Sequence, residues 1–360
     1  MAAAIAGLQI SGNGPFTADC QHALESMTGA PRALLTSSCT DALELAALLL
    51  DVGPGDEVIL PAFTFVSTAN AFALRGARPV FVDVRPDTMN LDHEGLEAAV
   101  TPRTKAIVPV HYAGVACEMD TILDVARRRG VAVVEDAAHA LCGRYRGRPL
   151  GSFGTLATLS FHETKNFTCG EGGALLVNDA SLAERAEVLA EKGTDRRRFA
   201  RGLVDKYTWV DLGSSFLPSD MLAAFLLAQL EARDAIQARR RAIWERYRDG
   251  LSGWAHETGT RLPHVPPHCE QAYHMFWMLL PTAAARTRLI ASLGACGVHA
   301  VFHYVPLHTS PMGLRFGGRA GQCPVAEAAG ERLVRLPFFT DLSEEDQDAV
   351  IAAVREARLD

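Results

Sequence analysis

Lysine is the scarce base in this chain of 360 residues: only Lys105, Lys165, Lys192 and Lys206 occur, so 31 of its 35 basic residues (35 less those 4) are arginine. Arginine serves wherever a plain positive charge suffices, but it keeps its proton; a desolvated lysine can lose one and attack a carbonyl. Lys165 lies in Ser160-Phe161-His162-Glu163-Thr164-Lys165-Asn166, closed by Gly170-Glu171-Gly172-Gly173. Upstream by 29 residues, Val131-Ala132-Val133-Val134-Glu135-Asp136 reads as a short buried strand ending in a carboxylate, followed by Ala137-Ala138-His139. Ligands of open α/β sheets lie beyond the carboxyl ends of the strands. A carboxylate there can pair with a pyridinium nitrogen, and a lysine that holds an aldehyde as an imine completes the skeleton of a pyridoxal phosphate site. Either residue alone is more readily a turn-capping aspartate or a surface lysine. The pair changes that balance.

A phosphate needs its own cradle, and Thr36-Ser37-Ser38-Cys39-Thr40-Asp41 runs directly into the apolar stretch Ala42 to Leu50, which is a helix start. Free backbone N–H groups and the positive end of the helix dipole suit a dianion, with the hydroxyls of Ser38, Thr40 and Ser160 as further donors. An ordinary N-cap without a ligand has the same signature, so this segment counts only together with Lys165 and Asp136.

These groups need a scaffold. Between residues 37 and 178 helical and strand-like segments alternate: a helix near 40–50, a strand at Glu57–Leu60, a helix at Ser67–Leu74 and a strand at Pro79–Val82. Further strands are expected at Ala106–Val110, Val131–Glu135, Leu156–Ser160 and Ala174–Val177. Short apolar strands alternating with helices indicate a mostly parallel sheet covered on both faces, an α/β fold. A long helical run from Met221 to about Arg248, broken near Ala232–Ala235, reads as a bridge to a smaller α+β unit. That unit carries strands at Met275–Leu280 and Val298–Phe302 and helices at Ala284–Leu293 and Glu344–Arg358, with loops at Arg261–Pro267 and Pro311–Gly321. The expected division is 1–235 for the large domain and 236–360 for the small one.

Composition narrows the classes. A chain of 38.8 kDa exceeds one ordinary core. No apolar run approaches the roughly 18 residues that span a bilayer, and the first ten residues lack a basic signal-peptide region, so a cytoplasmic protein with no membrane partner is expected. Eight cysteines without CxxC or zinc spacing read as reduced thiols, with no metal site. A net charge of −7 argues against coating nucleic acid. The basic patch Arg196-Arg197-Arg198 with Arg201 is either a solvated loop or a clamp for a substrate diphosphate.

Over nearly its whole length the chain resembles the pyridoxal phosphate dependent sugar aminotransferases of the DegT/DnrJ/EryC1/StrS group, which have the aspartate aminotransferase (fold type I) architecture. Four stretches look most like members that aminate C4 of dTDP-4-keto-6-deoxy-D-glucose. They are Ser160 to Gly173, Lys192 through Trp209, the Gly213-Ser214-Ser215 turn, and Ala300-Val301-Phe302-His303-Tyr304-Val305-Pro306-Leu307-His308. The resemblance implies that Lys165 carries the cofactor, Asp136 pairs with its ring nitrogen and Phe65 stacks on the ring. Thr40, Asp41 and Ser160 would hold the phosphate, His139 would lie near the ring face or its 3-oxygen, and His162 is the usual histidine of its loop. His303, Tyr304 and His308 would approach the sugar or its diphosphate, with Arg196, Arg197 and Tyr207 as further substrate contacts.

The resemblance also implies L-glutamate as amino donor, passage through the pyridoxamine form, and a homodimer with the site at its interface. One departure stands out: many relatives carry an asparagine or lysine near residues 215–217 that reaches the partner's cofactor phosphate, where this chain has Ser215-Phe216-Leu217. Three rivals remain. A sugar dehydratase of the same fold would have histidine in place of Lys165. A C3 aminotransferase would differ in regiochemistry, and a non-catalytic regulator would bind cofactor without turnover.

Overall fold

The computed structural model describes residues 2–7 and 9–359. Seven strands form the central sheet: β1 (Arg32–Thr36), β2 (Glu57–Pro61), β3 (Arg78–Val82), β4 (Thr104–Ile107), β5 (Ala132–Asp136), β6 (Leu156–Ser160) and β7 (Gly173–Val177). Their spatial order is β1-β7-β6-β5-β4-β2-β3. Every pair is parallel except those made by β7, which runs antiparallel to both β1 and β6. The expected mostly parallel sheet is present.

Period-two alternation sends each strand's residues to two cores. Leu34, Val58, Leu60, Ala106, Val134, Leu156 and Leu175 join one cluster, which includes Ala42, Leu45 and Ala46 of the helix Cys39–Leu49, α2 in chain order after α1 (Pro15–Thr28). Leu35, Ile59, Ile107, Val133, Leu159 and Leu176 join the other, with Leu24 of α1 and Leu226 of the helix Asp220–Glu231. Both faces are covered, which is why the strands read as unbroken apolar runs.

The helical bridge breaks where expected. Asp220–Glu231 ends at Ala232, and a new helix runs from Arg233 to Thr258. The expected boundary between residues 235 and 236 falls in the first turn of that second helix. Its Ile236 packs on the large-domain cluster, while Ile243, Tyr247 and Leu251 belong to a third core with Phe276, Met278, Val334 and Val350. The small sheet has strands β8 (Trp277–Leu279), β9 (Val301–Phe302) and β10 (Leu333–Arg335), with β10 in the middle and antiparallel to both neighbours. Its alternation is again two-sided: Met278 and Val334 face the third core, whereas Trp277, Leu279 and Leu333 belong to the large-domain cluster. One face of the small sheet is therefore turned toward the large domain.

Candidate active site

β5 and β6 are neighbours at the centre of the sheet, so the 29 residues between Asp136 and Lys165 return the chain to the same carboxyl edge. Asp136 ends β5, nearly buried; its Oδ2 accepts from the Thr68 hydroxyl at 2.8 Å and its Oδ1 from the Ala138 N–H at 3.2 Å. Burial raises its carboxyl above the ordinary 3.8, against the lowering effects of Thr68, the Ala138 N–H, Lys165 and His111. It is a carboxylate short of a cation. The preceding Glu135 is the opposite case. Fully buried, it accepts from the N–H groups of Gly151, Phe153 and Gly154 at 2.9, 2.6 and 2.7 Å and contacts His111 Nε2 at 2.9 Å.

Lys165 follows β6 in a turn whose backbone N–H bonds the His162 carbonyl at 2.9 Å. Burial pushes its ammonium below 10.5, more than Cys39 and Asp136 hold it up, and the positive charge of Arg335 pushes the same way. A lysine so placed gives up its proton more readily, as a nucleophile and base requires.

The helix start forms as expected. Ser38 caps α2, its hydroxyl accepting from the Asp41 N–H at 3.0 Å, and the Thr40 hydroxyl lies 2.8 Å from that of Ser67. Gly173 lies directly beneath: a Cβ there would stand 2.4 Å from the Ser38 carbonyl carbon and 2.5 Å from the Cys39 nitrogen. The departure noted at residues 215–217 also has a structural counterpart. The Phe216 carbonyl accepts from both the N–H and the hydroxyl of Ser37, at 2.7 and 3.0 Å, so this segment braces the turn that leads into α2 of the same chain.

Opposite lies a wall of rings. His139 stacks on His274 with centroids 4.1 Å apart, and the Tyr112 hydroxyl meets His303 Nδ1 at 2.9 Å. Tyr304 packs against Phe63, Phe65 and Tyr112. Asn166 donates Nδ2–H to the Ala272 carbonyl at 2.6 Å, which turns its Oδ1 to His274 Nδ1 at 2.9 Å and makes that nitrogen the proton carrier. His139, His274 and His303 are all held well below 6.5, chiefly by burial and then by the positive charges of Lys165 and Arg335 together with Arg240 at His274 and the neighbouring histidines. His139 Nδ1 is buried without a partner.

Other expected residues lie elsewhere or at the rim. Phe65 is 57% exposed. Ser160 ends β6, and His162 bonds the Thr164 hydroxyl at 3.0 Å. His308 is fully buried, with Nε2 2.8 Å from Glu327. Arg197 pairs with Glu187 and Glu191 and bonds Asn13, while Arg196 and Tyr207 lie exposed on a flap with Trp209. Sequence reasoning passed over Thr68, Tyr112, Asn166, His274 and Arg335. Tyr112 had a signal, since it follows β4 past its carboxyl end.

The DegT/DnrJ/EryC1/StrS aminotransferase family description matches residues 1–355. The chain belongs to that family. It is 38% identical over 356 residues to GDP-perosamine synthase of Caulobacter vibrioides, covering 96% of this chain and 91% of the relative. It is 37% identical over 351 residues to the spore coat polysaccharide biosynthesis protein SpsC of Bacillus subtilis, covering 95% and 90%. The pyridoxamine-form structure of the sugar aminotransferase Spr1654 from Streptococcus pneumoniae superposes with a TM-score of 0.89 at 30% identity, over 96% of this chain and 92% of that one. This member of the family is thus a pyridoxal phosphate dependent sugar aminotransferase of fold type I.

The residues present fit the cofactor. Asp136 lacks a cation that a protonated ring nitrogen would supply, His139 Nδ1 lacks a partner, and α2 opens beside Lys165 with a capped first turn. Lys165 would hold the aldehyde carbon, Asp136 the ring nitrogen, and the Ser38–Asp41 turn with Ser160 the phosphate.

Proposed function

We propose that this aminotransferase moves the amino group of L-glutamate to C4 of dTDP-4-keto-6-deoxy-D-glucose. The products would be a dTDP-4-amino-4,6-dideoxyhexose and 2-oxoglutarate. The observation that carries the reading is the meeting of Lys165 and Asp136 beneath the polar rings of the small-domain wall. The four resembling stretches favour C4 and the dTDP sugar. The Caulobacter relative favours a second reading, a GDP-linked keto sugar, which leaves the chemistry of the site unchanged.

When bound, pyridoxal phosphate supplies an aldehyde carbon and a ring that takes up electron density as a C–H bond breaks. Lys165 Nζ, favoured in its neutral form by burial, takes the proton from the donor carbon and returns it on the other side of the transfer. Asp136, oriented by Thr68, keeps the ring nitrogen protonated. Neutral His274 and His139 bring a polar edge to the cleft without adding charge.

The homodimer belongs to this proposal, supported by apolar side chains left open on the single chain: Phe65, Leu203, Trp209 (74% exposed) and Leu212. A cytoplasmic location is proposed with it; among the described residues no helix is long and apolar enough to cross a membrane.

The test follows the visible absorption of the lysine-linked cofactor while L-glutamate and then the dTDP or GDP keto sugar are added, with NMR of the sugar formed. Loss of the band with glutamate, its return with the dTDP sugar, and nitrogen on C4 support the proposal. Return only with the GDP sugar selects the second reading, and nitrogen on C3 refutes the regiochemistry. A band that glutamate leaves unchanged overturns the donor.

A further inference from the structure

Tyr112 lies past the carboxyl end of β4 in the large sheet, and His303 directly follows β9 of the small one. The 2.9 Å contact between the Tyr112 hydroxyl and His303 Nδ1 therefore joins the two walls of the cleft. Tyr112 is buried, and its ring packs against those of Phe63, His139, Trp277 and Tyr304 at centroid separations of 5.6 to 6.4 Å. Among the described residues, His303 is the one hydrogen-bond partner of its hydroxyl.

That enclosure decides where the protons sit. Burial holds the Tyr112 phenol well above its ordinary 10.0 and the His303 imidazole well below 6.5, so the phenol keeps its proton and the imidazole carries only one. Two arrangements would fit the contact. If Nδ1–H donated to the phenol oxygen, the phenol O–H would be left buried without an acceptor, which is costly. If the phenol O–H donates to a bare Nδ1, nothing in the enclosure is left over. The bond made by one ring nitrogen settles the other, so the single proton of His303 is on Nε2. Nε2 bonds no group among the described residues and is not enclosed; His303 keeps 8% of its surface open against 1% for Tyr112. The ring lies 6.4 Å from that of His139 and within reach of the charge of Lys165, at the reacting end of the cleft.

We propose that Tyr112 is a positioning residue for the sugar half of the transfer: by occupying Nδ1 it fixes His303 as the Nε2–H tautomer, which donates to an oxygen of the keto sugar. The proposal rests on the keto-sugar reading above and holds for a dTDP or a GDP sugar alike. The charge of the wall separates the two substrates. Three neutral histidines offer a carboxylate no counter-charge, whereas the carbonyl and hydroxyl oxygens of a keto sugar are neutral acceptors that a neutral N–H matches. The opposite tautomer would turn a lone pair toward those oxygens.

The first test needs neither cofactor nor turnover. Nitrogen NMR of the cofactor-free protein labelled at histidine reads the tautomer, with the His303 signals identified by their loss in His303→Gln. Wild type should show a bare Nδ1 and a protonated Nε2, and Tyr112→Phe, which removes only the hydroxyl, should show a mixture of the two tautomers. With cofactor bound, Tyr112→Phe should raise the keto-sugar concentration for half-maximal rate about tenfold, the scale of one neutral hydrogen bond, and that for L-glutamate by less than about threefold. His303→Gln supplies the control, because its amide N–H₂ is a donor that needs no tautomer lock. In that background Tyr112→Phe should cost nothing further in the sugar half, whereas a purely structural Tyr112 would cost the same in both.

A protonated Nδ1 in wild type, an unchanged tautomer in Tyr112→Phe, equal losses in the two half-reactions, or the same loss in the His303→Gln background would each overturn the assignment. The wild-type spectrum requires no variant, so a folding failure of Tyr112→Phe leaves the proposal open to refutation. Failure of the parent reading looks different: the wild-type protein, once aminated by glutamate, would pass its amino group to no keto sugar.

Discussion

The two walls of the cleft are built on opposite terms. On the large-domain side the groups are tied down: Thr68 holds Asp136, Glu135 is saturated by three N–H groups and His111, Ser38 caps α2, and Phe216 braces Ser37. On the small-domain side, and where it meets His139, polar atoms are left open: Arg335 Nε and His139 Nδ1 lack partners, and three histidines stay neutral under burial. A fixed cofactor calls for the first arrangement, whereas two substrates that take turns in one site call for the second. The contrast fits the proposed reading, with the common chemistry on the sheet edge and discrimination on the facing wall.

The largest effect expected on the sheet-edge side comes from Lys165→Arg. It keeps charge and length but removes the only amine at the site, and should lower turnover by at least ~10⁴-fold, beyond what proton transfer alone contributes. Single-turnover mixing with L-glutamate checks it; residual turnover above a thousandth of wild type would remove Lys165 from its role.

Asp136→Asn sharpens the comparison because it should separate stability from function. Losing the charge beside the ring nitrogen should lower the rate of both half-reactions by about 10²–10³-fold. In the cofactor-free protein, however, the ionised carboxyl is disfavoured. A carboxyl with a raised folded pKa stabilises below its unfolded value and loses that contribution as pH climbs through the folded one, so near neutrality the charge is a burden. Replacing it should leave the cofactor-free protein as stable or more so, by up to about 1–2 kcal/mol. Urea melts with and without pyridoxal phosphate measure both quantities. A cofactor-free variant clearly less stable than wild type would mean that Asp136 is structural, like Glu135.

The sheet edge was legible from sequence because its grammar is local. A strand ending in Asp136, a helix start at Ser38 and a lone lysine after β6 each lie within a few residues of the signal that marks them. β1 was missed although its apolar run leads into the helix start at Ser38, since Arg32–Thr36 is five residues long and gains its place only by pairing with β7 far along the chain. The facing wall was mostly illegible. β10 is three residues long and was not expected at all, β9 is shorter than the expected Val298–Phe302, and Arg335 looks in sequence like any surface arginine. Its setting comes from register with Trp277 across the small sheet, which no local sequence signal marks. His303 was found by resemblance, His274 by nothing short of the stack with His139.

A smaller effect is expected beneath the cradle. Gly173→Ala would put a methyl within 2.4–2.5 Å of the Ser38–Cys39 backbone, so the loop must move. The change should weaken cofactor binding about tenfold, some 1.4 kcal/mol, and excess pyridoxal phosphate should restore most of the rate. Cofactor titration by absorbance checks it. An unchanged affinity would mean that the turn from Ser38 to Asp41 does not hold the phosphate.

The gentlest probe acts on the ring wall through pH. His139, His274 and His303 have folded pKa values held well below 6.5, so the folded protein refuses protons that the unfolded chain accepts. The unfolded state then binds more protons as pH drops, and stability must fall with it. The contribution is full above 6.5 and is lost as pH falls toward the folded values, at most about 1.4 kcal/mol per pH unit for each histidine. His274→Asn removes one of these sites, so its stability should fall less steeply than that of wild type between pH 7 and 5. Urea midpoints across that range test the idea, and equal slopes for the two proteins would show that His274 takes up its proton in the folded state. The sheet edge responds differently: the ionised form of Asp136 becomes less of a burden as pH falls, so acid should loosen the small-domain wall first.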